Sequence, residues 1–530
     1  MRPATQRRWF WPGVFAACVV VAGARSIALG KDANWDLRNY HWHNAWALLN
    51  GRIGVDVAPA QLQTYYNPLG DLPFYGLVHL LQDPRAVAFA MGTYVAVGVF
   101  FLLRILALLF PFDRSKANGA IWIGCAALVG LTGAAGTAAW GSTMNEWNSA
   151  ALALAAVWLA VRAAVESEER RPCACAAAGF LMGCAVGLKL TYGIFAAGLL
   201  AGCLGFGTLE ARLKRPLTSA AFMALGFLAT YGWWGWILWR EFENPFFIYF
   251  NGIFRSAWWE PFDFFDRNFG PRDWRQWIFF PIYFARRSLL VGEVAFRDYR
   301  LAALLLLAIA AWITSRARNL RENPNAPAPP AGPLDAGWRV LALFTLVSYL
   351  AWLKLFGIYR YLVPLEALSG ALIIGCVLYI LRRGRWQLAV TVALTLALVG
   401  TTRHGGWGRI NFGSTYFDVA APELPANSLV IMGYGHPMAY AAPFFRPGTR
   451  FVSPANNFMN VQQRNRLARR ADELIRGHRG PAYLLEYRER LPHDERTLAH
   501  FELASHDALC QPVRSSMDID YMRLCPLTRR

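Results

Sequence analysis

Long apolar runs separated by short polar loops dominate the first 402 positions of the chain. An apolar run of about 17 to 25 residues has the length that crosses the hydrocarbon core of a bilayer as a helix. The pattern therefore predicts an all-α polytopic membrane protein with about eleven transmembrane helices. The predicted spans are 9–29, 85–109, 118–139, 147–163, 173–188, 192–209, 217–239, 299–315, 338–356, 361–381 and 386–402.

The positions of the basic residues predict an orientation for these spans. Arginines and lysines precede the first span and follow the second, fourth, sixth, eighth and tenth, as Arg7, Arg114 and Arg171 illustrate. An odd number of spans puts all these loops on one side, which the positive-inside rule makes cytoplasmic. We expect a bacterial inner-membrane protein with a cytoplasmic N-terminus, in which loops 30–84 and 240–298 face outward.

The composition agrees with a membrane protein and argues against a nucleic-acid-binding one. Charged residues make up 16% of the chain, whereas about 25% is usual for a soluble protein. The net charge of +19 comes mainly from arginines in short loops beside the spans, which is a topology signal rather than a binding groove. We expect no nucleic-acid partner. The long aromatic loop 240–298 is expected to contact membrane lipids, with residues such as Arg255 and Arg275 facing anionic headgroups.

The pattern changes after position 402. SLVIM, PAYLLEY and YMRLCPL are typical of strands, and VQQRNRLARRADELIRGH is typical of an amphipathic helix. This alternation predicts a small α/β domain over 403–530, on the periplasmic side. Of the nine cysteines, Cys510 and Cys525 lie in this outward region. A disulfide between them is one prediction, but sequence spacing alone does not establish the geometry that it needs.

Polar, acidic and aromatic residues concentrate in the loop that follows the first span. If Lys31–Leu49 is a helix, Asp32, Asp36, Tyr40 and His43 share one face. A carboxylate at a membrane interface among aromatic rings can act as a base; the alternative is a solvated loop acid. We predict Asp36 and Asp32 as catalytic acids, and Tyr40 and His43 as substrate contacts.

Two further charged residues lie at the predicted outward ends of spans. Glu146, at the mouth of the fourth span, is either a functional acid or an interfacial acid that contacts water. As a third catalytic candidate it could position an acceptor or help to hold a divalent cation, Mg or Mn. Lys189, in the turn between the fifth and sixth spans, either neutralises a phosphate of a lipid-linked substrate or anchors the helix by snorkelling.

The turn between the ninth and tenth spans, KLFGIYRYLVP, is the last candidate. It carries Lys354, Tyr359, Arg360 and Tyr361. A guanidinium flanked by tyrosines suits a phosphate at headgroup level, and the alternative is an ordinary interfacial belt. We predict all four as substrate-binding residues.

Taken in order, these motifs resemble the GT-C fold of lipid-phosphate-dependent glycosyltransferases, especially the aminoarabinose transferases of lipid A and the protein O-mannosyltransferases. The matching features are Asp36 with Tyr40 four residues on, AWALLNG, YYNPLGDLPFYG with Tyr66, Glu146, GFLMGCAVGLK and RYLVP. The family commonly has a second acid adjacent to the first, where this chain has Leu37. Asp32 could replace it, so metal dependence and donor type stay open.

The resemblance implies a glycosyltransferase domain over 1–402 that moves a sugar from a polyprenyl-phosphate donor to a lipid, glycan or protein acceptor. Asp36 would be the base of an inverting displacement, Tyr66 would contact substrate, and no cofactor is certain. A flippase or transporter is an alternative, although such proteins usually show internal repeats. A surface-glycan polymerase or ligase is another.

Overall fold

A computed structural model describes residues 10–110, 118–165, 171–207, 209–263, 268–319, 333–381, 385–488, 490–517 and 521–530. Within them, seven helices are long and apolar enough to cross a membrane, judged by length and composition. They are Phe10–Ala28, Pro84–Leu109, Glu146–Val165, Leu213–Phe242, Arg300–Arg318, Leu334–Leu355 and Tyr359–Leu381. The chain is thus a polytopic membrane protein, but these seven do not reach the predicted eleven. The other four predicted spans coincide with the shorter apolar helices Gly119–Leu131, Pro172–Leu188, Leu190–Cys203 and Arg385–Thr401.

Helices account for most of the described chain. They are α1 Phe10–Ala28, α2 Trp42–Leu49, α3 Leu72–Leu81, α4 Pro84–Leu109, α5 Asn118–Leu131, α6 Ala134–Ala138, α7 Glu146–Val165, α8 Arg171–Leu188, α9 Gly193–Cys203, α10 Leu209–Phe227, α11 Trp233–Phe242, α12 Asn251–Phe254, α13 Trp274–Arg286, α14 Arg300–Asn319, α15 Pro333–Leu355, α16 Val363–Leu381, α17 Arg385–Thr401, α18 Arg466–Gly477 and α19 Pro492–His500. Single π-helical turns lie at Leu37–His41 and Leu228–Gly232.

A glycine stripe explains how α8 packs. A Cβ at Gly179 would lie 2.1 Å from the backbone oxygen of Ser219, and one at Gly183 would lie 2.0 Å from that of Met223. Only glycine allows the backbones of α8 and α10 to approach this closely, as is common between membrane helices. The stripe runs along the GFLMGCAVGLK motif, so this packing fixes the end of α8, where Lys189 follows.

The tail folds around a seven-stranded sheet. The described residues form nine strands: β1 Lys31–Asp32, β2 Arg409–Ile410, β3 Val419–Ala420, β4 Leu429–Met432, β5 Arg450–Val452, β6 Ala482–Tyr487, β7 Leu503–Ser505, β8 Gln511–Ser515 and β9 Met522–Arg529. Strands β1 and β2 pair with each other, and β3 to β9 form the seven-stranded sheet. In the larger sheet the order is β3-β8-β9-β6-β4-β5, with β7 beside β9; β5, β4 and β6 are parallel and the other pairings are antiparallel. The three predicted strands and the helix α18 are confirmed. The Cys510–Cys525 disulfide is also present.

The start of the first loop differs from the prediction. Residues Lys31–Asp32 pair as β1 with β2 instead of beginning a helix. The Asp32 carboxylate accepts hydrogen bonds from the Asn34 side chain and from the backbone and hydroxyl of Thr143, at 2.8 to 2.9 Å. A short polar side chain that bonds nearby backbone competes with helix formation. The expectation of one helix over Lys31–Leu49 is therefore wrong, and Asp32 does not share a helix face with Asp36.

The first loop is built into the tail. Lys31 Nζ donates to the backbone oxygens of Tyr416, at 2.9 Å, and Ser516, at 3.2 Å. Val57 pairs with Val452, at the end of β5. Two hydrophobic clusters each combine loop residues with residues of the sheet. The loop thus joins the helices to the sheet, and the predicted regions 1–402 and 403–530 share their cores.

Candidate active site

A buried ion pair joins the first loop to the turn between α15 and α16. Asp36 immediately precedes the π-helical turn, and Arg360 lies in a 3₁₀ turn, Tyr359–Leu362. Arg360 Nη1 donates to Asp36 Oδ2 at 2.7 Å. The guanidinium also lies over the rings of Tyr361 and Trp407, at 5.5 and 5.6 Å from their centroids. Contacts with two aromatic rings restrict the position of the cation.

The surroundings of Asp36 hold its carboxylate in the ionised form. Burial favours the neutral acid, but the positive charges around the carboxylate, first that of Arg360, outweigh burial and lower the pKa of Asp36 below its ordinary value. Arg360 also makes the hydrogen bond described above. The carboxylate is therefore available as an acceptor at neutral pH, although a low pKa makes it a weak base.

A second ion pair also lies close to the Tyr361 ring. Lys189 Nζ lies 2.7 Å from Glu146 Oε1, donates to the backbone oxygen of Met144 at 3.0 Å, and sits 5.3 Å from the centroid of Tyr361. The Glu146 side chain is fully buried. Its backbone oxygen accepts a hydrogen bond from the hydroxyl of Tyr192. Two cations, each paired with an acid, thus lie within 5.5 Å of the centroid of Tyr361.

Tyrosines complete the wall of this site. The rings of Tyr40 and Tyr66 lie 5.4 Å apart, and the hydroxyls of Tyr66 and Tyr249 share a hydrogen bond. Burial, followed by the Asp36 charge, raises the pKa of Tyr40 well above its ordinary value. Burial, followed by Tyr249, does the same for Tyr66. These phenols stay neutral and can donate hydrogen bonds to an anionic ligand.

Most of the predicted site residues therefore lie together. The cluster, called the two-pair site below, contains Asp36, Tyr40, Tyr66, Glu146, Lys189, Arg360 and Tyr361. Sequence analysis missed Tyr249, Trp407 and Glu293, whose Oε1 lies 3.8 Å from Arg360. Tyr249 lies in a loop with many aromatic residues, and the sequence does not distinguish it from the others. Trp407 is a single large ring among glycines, and this contrast is a signal by which it could have been predicted.

Four predicted residues lie elsewhere. Asp32 is occupied by the bonds described above, and Lys354 is exposed near the end of α15. His43 lines a separate cavity with Arg52 and Asp56. Tyr359 packs its ring against those of Phe296 and Phe284. We attribute the place of His43 to the π-helical turn, because the extra residue in such a turn rotates the following helix relative to Asp36.

A buried charge cluster supports the turn that carries Arg360. Arg300 Nη1 lies 2.6 Å from Asp298 Oδ2 and 3.3 Å from Glu366 Oε1. The Glu366 carboxylate accepts hydrogen bonds from the backbone N–H groups of Ala135 and Gly136. The cluster ties together the starts of α6, α14 and α16. An acid inside an apolar span is costly unless it is paired, so Glu366 was a sequence signal for this cluster.

The acids of the two-pair site are not arranged as a cation site. Asp36 and Glu146 are each paired with a cation of the protein, which satisfies their charge. Among the described residues, the one group of three potential ligands within coordinating distance is Glu486 with Cys510 and Cys525, and the two cysteines are disulfide-bonded. The reaction proposed below therefore uses only side chains of the protein.

Comparison with protein-family models and with curated proteins found no match for the chain.

Proposed function

We propose that this protein is a GT-C-type glycosyltransferase that moves a sugar from a polyprenyl-phosphate donor to an acceptor hydroxyl. The observation that carries the proposal is the two-pair site, in which Asp36–Arg360 and Glu146–Lys189 meet around Tyr361. These residues come from four distant segments: Asp36 lies in the first loop, and Glu146, Lys189 and Arg360 lie at ends of apolar helices. Buried charges at membrane helix ends are costly, and they usually mark functional sites.

The two cations suit the phosphate of a lipid carrier. A phosphate that enters between Lys189 and Arg360 would replace part of the charge that Glu146 and Asp36 now supply. Tyr40 and Tyr66 are placed to donate hydrogen bonds. The apolar surface of the neighbouring helices offers a place for the polyprenyl tail. Lys354, which lies outside the site, has no part in this binding.

The proposed reaction is a single displacement with inversion. The acceptor oxygen attacks the anomeric carbon while its proton passes to the Asp36 carboxylate. The bond from that carbon to the phosphate oxygen breaks, and the electron pair stays on the phosphate. Arg360 and Lys189 would stabilise this leaving group, which is the kind of preorganised electrostatic help that lowers such barriers most.

The proposal includes an orientation. We infer that the four shorter apolar helices also cross the membrane, which gives eleven spans and restores the arrangement that the basic loops predict. The two-pair site and the sheet of the tail would then face the periplasm of a bacterial inner membrane. The exposed aromatic residues of α13, including Trp274 and Trp277, would lie against the outer leaflet.

Donor consumption by the purified protein tests the function. Wild-type protein in liposomes should release free polyprenyl phosphate from labelled polyprenyl-phosphate monosaccharides in the presence of extracted envelope lipids and glycans. Asp36→Asn should lower the rate by about 10² to 10⁴-fold, because general-base catalysis typically contributes that much. Asp472→Asn, a change at an exposed acid of α18, is the control and should keep the wild-type rate.

The same assay separates the alternatives. A flippase would move the labelled donor across the bilayer without consuming it. A polymerase or ligase would consume a lipid-linked oligosaccharide in preference to a monosaccharide. If every monosaccharide donor stays intact, or if Asp36→Asn turns over donor as fast as wild type, the proposal is wrong.

A further inference from the structure

A second acid–base pair lies beside the two-pair site, and the proposed mechanism does not use it. His41 Nδ1 lies 2.6 Å from Asp71 Oδ1, and both side chains are only 2% exposed. Asn145 Nδ2 donates to the same Asp71 oxygen at 2.7 Å. Because the carboxylate accepts at Nδ1, the neutral ring carries its proton there and presents Nε2 as an acceptor. Nε2 is buried, with no hydrogen-bond partner among the described residues.

The π-helical turn places His41 next to Asp36. These residues are five positions apart and bracket the turn Leu37–His41. In a π-helix the backbone bonds join residues i and i+5, so Asp36 and His41 stand one above the other, as residues four apart do in an α-helix.

The proposed reaction needs a second proton acceptor beside Asp36. The Asp36 carboxylate is a weak base because Arg360 stabilises its ionised form. A proton that it removes from an acceptor must leave quickly, since the site is buried. An imidazole that is fixed by a carboxylate can accept that proton, and Asp71 then balances the charge of the imidazolium.

We propose that His41, oriented by Asp71, receives at Nε2 the proton that Asp36 removes from the acceptor hydroxyl. The inference rests on the proposed glycosyltransferase function. The acceptor O–H bond breaks as its oxygen bonds to the anomeric carbon, the lipid phosphate leaves with its electron pair, and the proton moves from Asp36 to His41. Asp71 is a positioning residue that holds the ring.

The test compares three variants in the liposome assay with a labelled polyprenyl-phosphate monosaccharide. His41→Gln should lower kcat about 10²-fold while the KM for the donor stays unchanged, because the phosphate contacts remain. Asp71→Asn should give a smaller loss in the same direction. His43→Gln is the matched control, since His43 is a buried histidine of the same segment that lies outside the site, and it should keep kcat.

Imidazole rescue separates proton transfer from a structural role. His41→Gly should regain part of its kcat with added imidazole, whereas Asp36→Asn should not. The inference is overturned if His41→Gln keeps the wild-type kcat, or if it changes KM in place of kcat. If His41→Gly does not fold, the kcat and KM of His41→Gln decide the question. A wild-type protein that consumes no donor contradicts the proposed function itself, whereas active wild type with an unaffected His41→Gln contradicts only the relay.

Discussion

Arg360 has a partner in the substrate-free site, and under the proposed function it would have a different partner when a phosphate is bound. Without substrate it is neutralised by Asp36 and restricted by the rings of Tyr361 and Trp407. A bound phosphate would compete with the aspartate for the same guanidinium. Because the rings hold the cation in place, that exchange requires little movement of Arg360, and the site stays preorganised.

The Arg360–Asp36 pair predicts a pH effect. Arg360 lowers the pKa of Asp36 and burial raises it, so Arg360→Gln leaves the effect of burial less opposed. The proposed transfer needs the Asp36 carboxylate in its ionised form, which is lost as the pH falls through its pKa. The acid limb of the profile of kcat/KM should therefore move to higher pH in Arg360→Gln. Lys354→Gln should leave the limb in place, and an unmoved limb in both variants would contradict this role of Arg360.

Asp32 and Asp36 should respond differently to the same change. Asp32→Asn weakens the bonds that hold Asn34 and Thr143, so we expect a lower Tm but a kcat within a few-fold of wild type. For Asp36→Asn we expect an unchanged Tm and a large loss of kcat, because this substitution removes the proposed base. Thermal unfolding in detergent and the liposome assay measure the two effects. A large loss of kcat with unchanged Tm in Asp32→Asn would make it a catalytic acid after all.

At the scale of elements, the sequence best predicted those helices and strands whose formation depends on the local pattern of apolar and polar residues. The predicted spans coincide with long or short apolar helices, because apolar length sets them. Three strands of the tail, β4, β6 and β9, also followed from their composition. The sequence also predicted Glu146, Lys189 and Arg360 as site residues, because charges at the ends of apolar spans are rare. Asp36 was predicted from its place in the polar loop that follows the first span.

The elements that the sequence did not predict depend on distant partners. Strand β1 exists because Arg409–Ile410 pairs with it, and no pattern near Lys31 encodes that partner. The π-helical turn is one extra residue in an otherwise helical segment, so its periodicity looked α-helical. That turn brings His41 to Asp36, and we attribute the separate place of His43 to it as well.

The joint between the first loop and the sheet predicts a stability effect. Asp56 accepts a hydrogen bond from the backbone N–H of Phe451 and pairs with Arg52 at 2.6 Å. Asp56→Ala leaves both partners uncompensated in a buried place, which should cost about 3 kcal/mol. Asp472→Ala removes an exposed pair of the same i,i+4 spacing with Arg476 and should cost less than about 0.5 kcal/mol. Equal shifts of Tm in the two variants would contradict the inference that Asp56 stabilises the contact between the first loop and the sheet.

At the scale of the whole molecule, the disulfide reports the orientation. Cys510 and Cys525 stay oxidised only if the tail faces an oxidising compartment. Membranes should be denatured in the presence of a thiol-blocking reagent, because most of the free cysteines are buried, and then reduced and labelled with a polyethylene-glycol maleimide. Two labels per wild-type chain are expected, from the Cys510–Cys525 pair, and none for Cys510→Ser/Cys525→Ser. Wild-type protein without label would place the tail in the cytoplasm.

The bond from Lys31 to Tyr416 spans 385 positions, and this separation has a consequence for biogenesis. The ribosome makes Asp36 early, whereas β2 and the strands that enclose the first loop emerge only after the last span. A nascent chain therefore holds an incomplete loop at the membrane surface for most of its synthesis. Chains that terminate prematurely should be inert, and we expect cellular proteases to remove them.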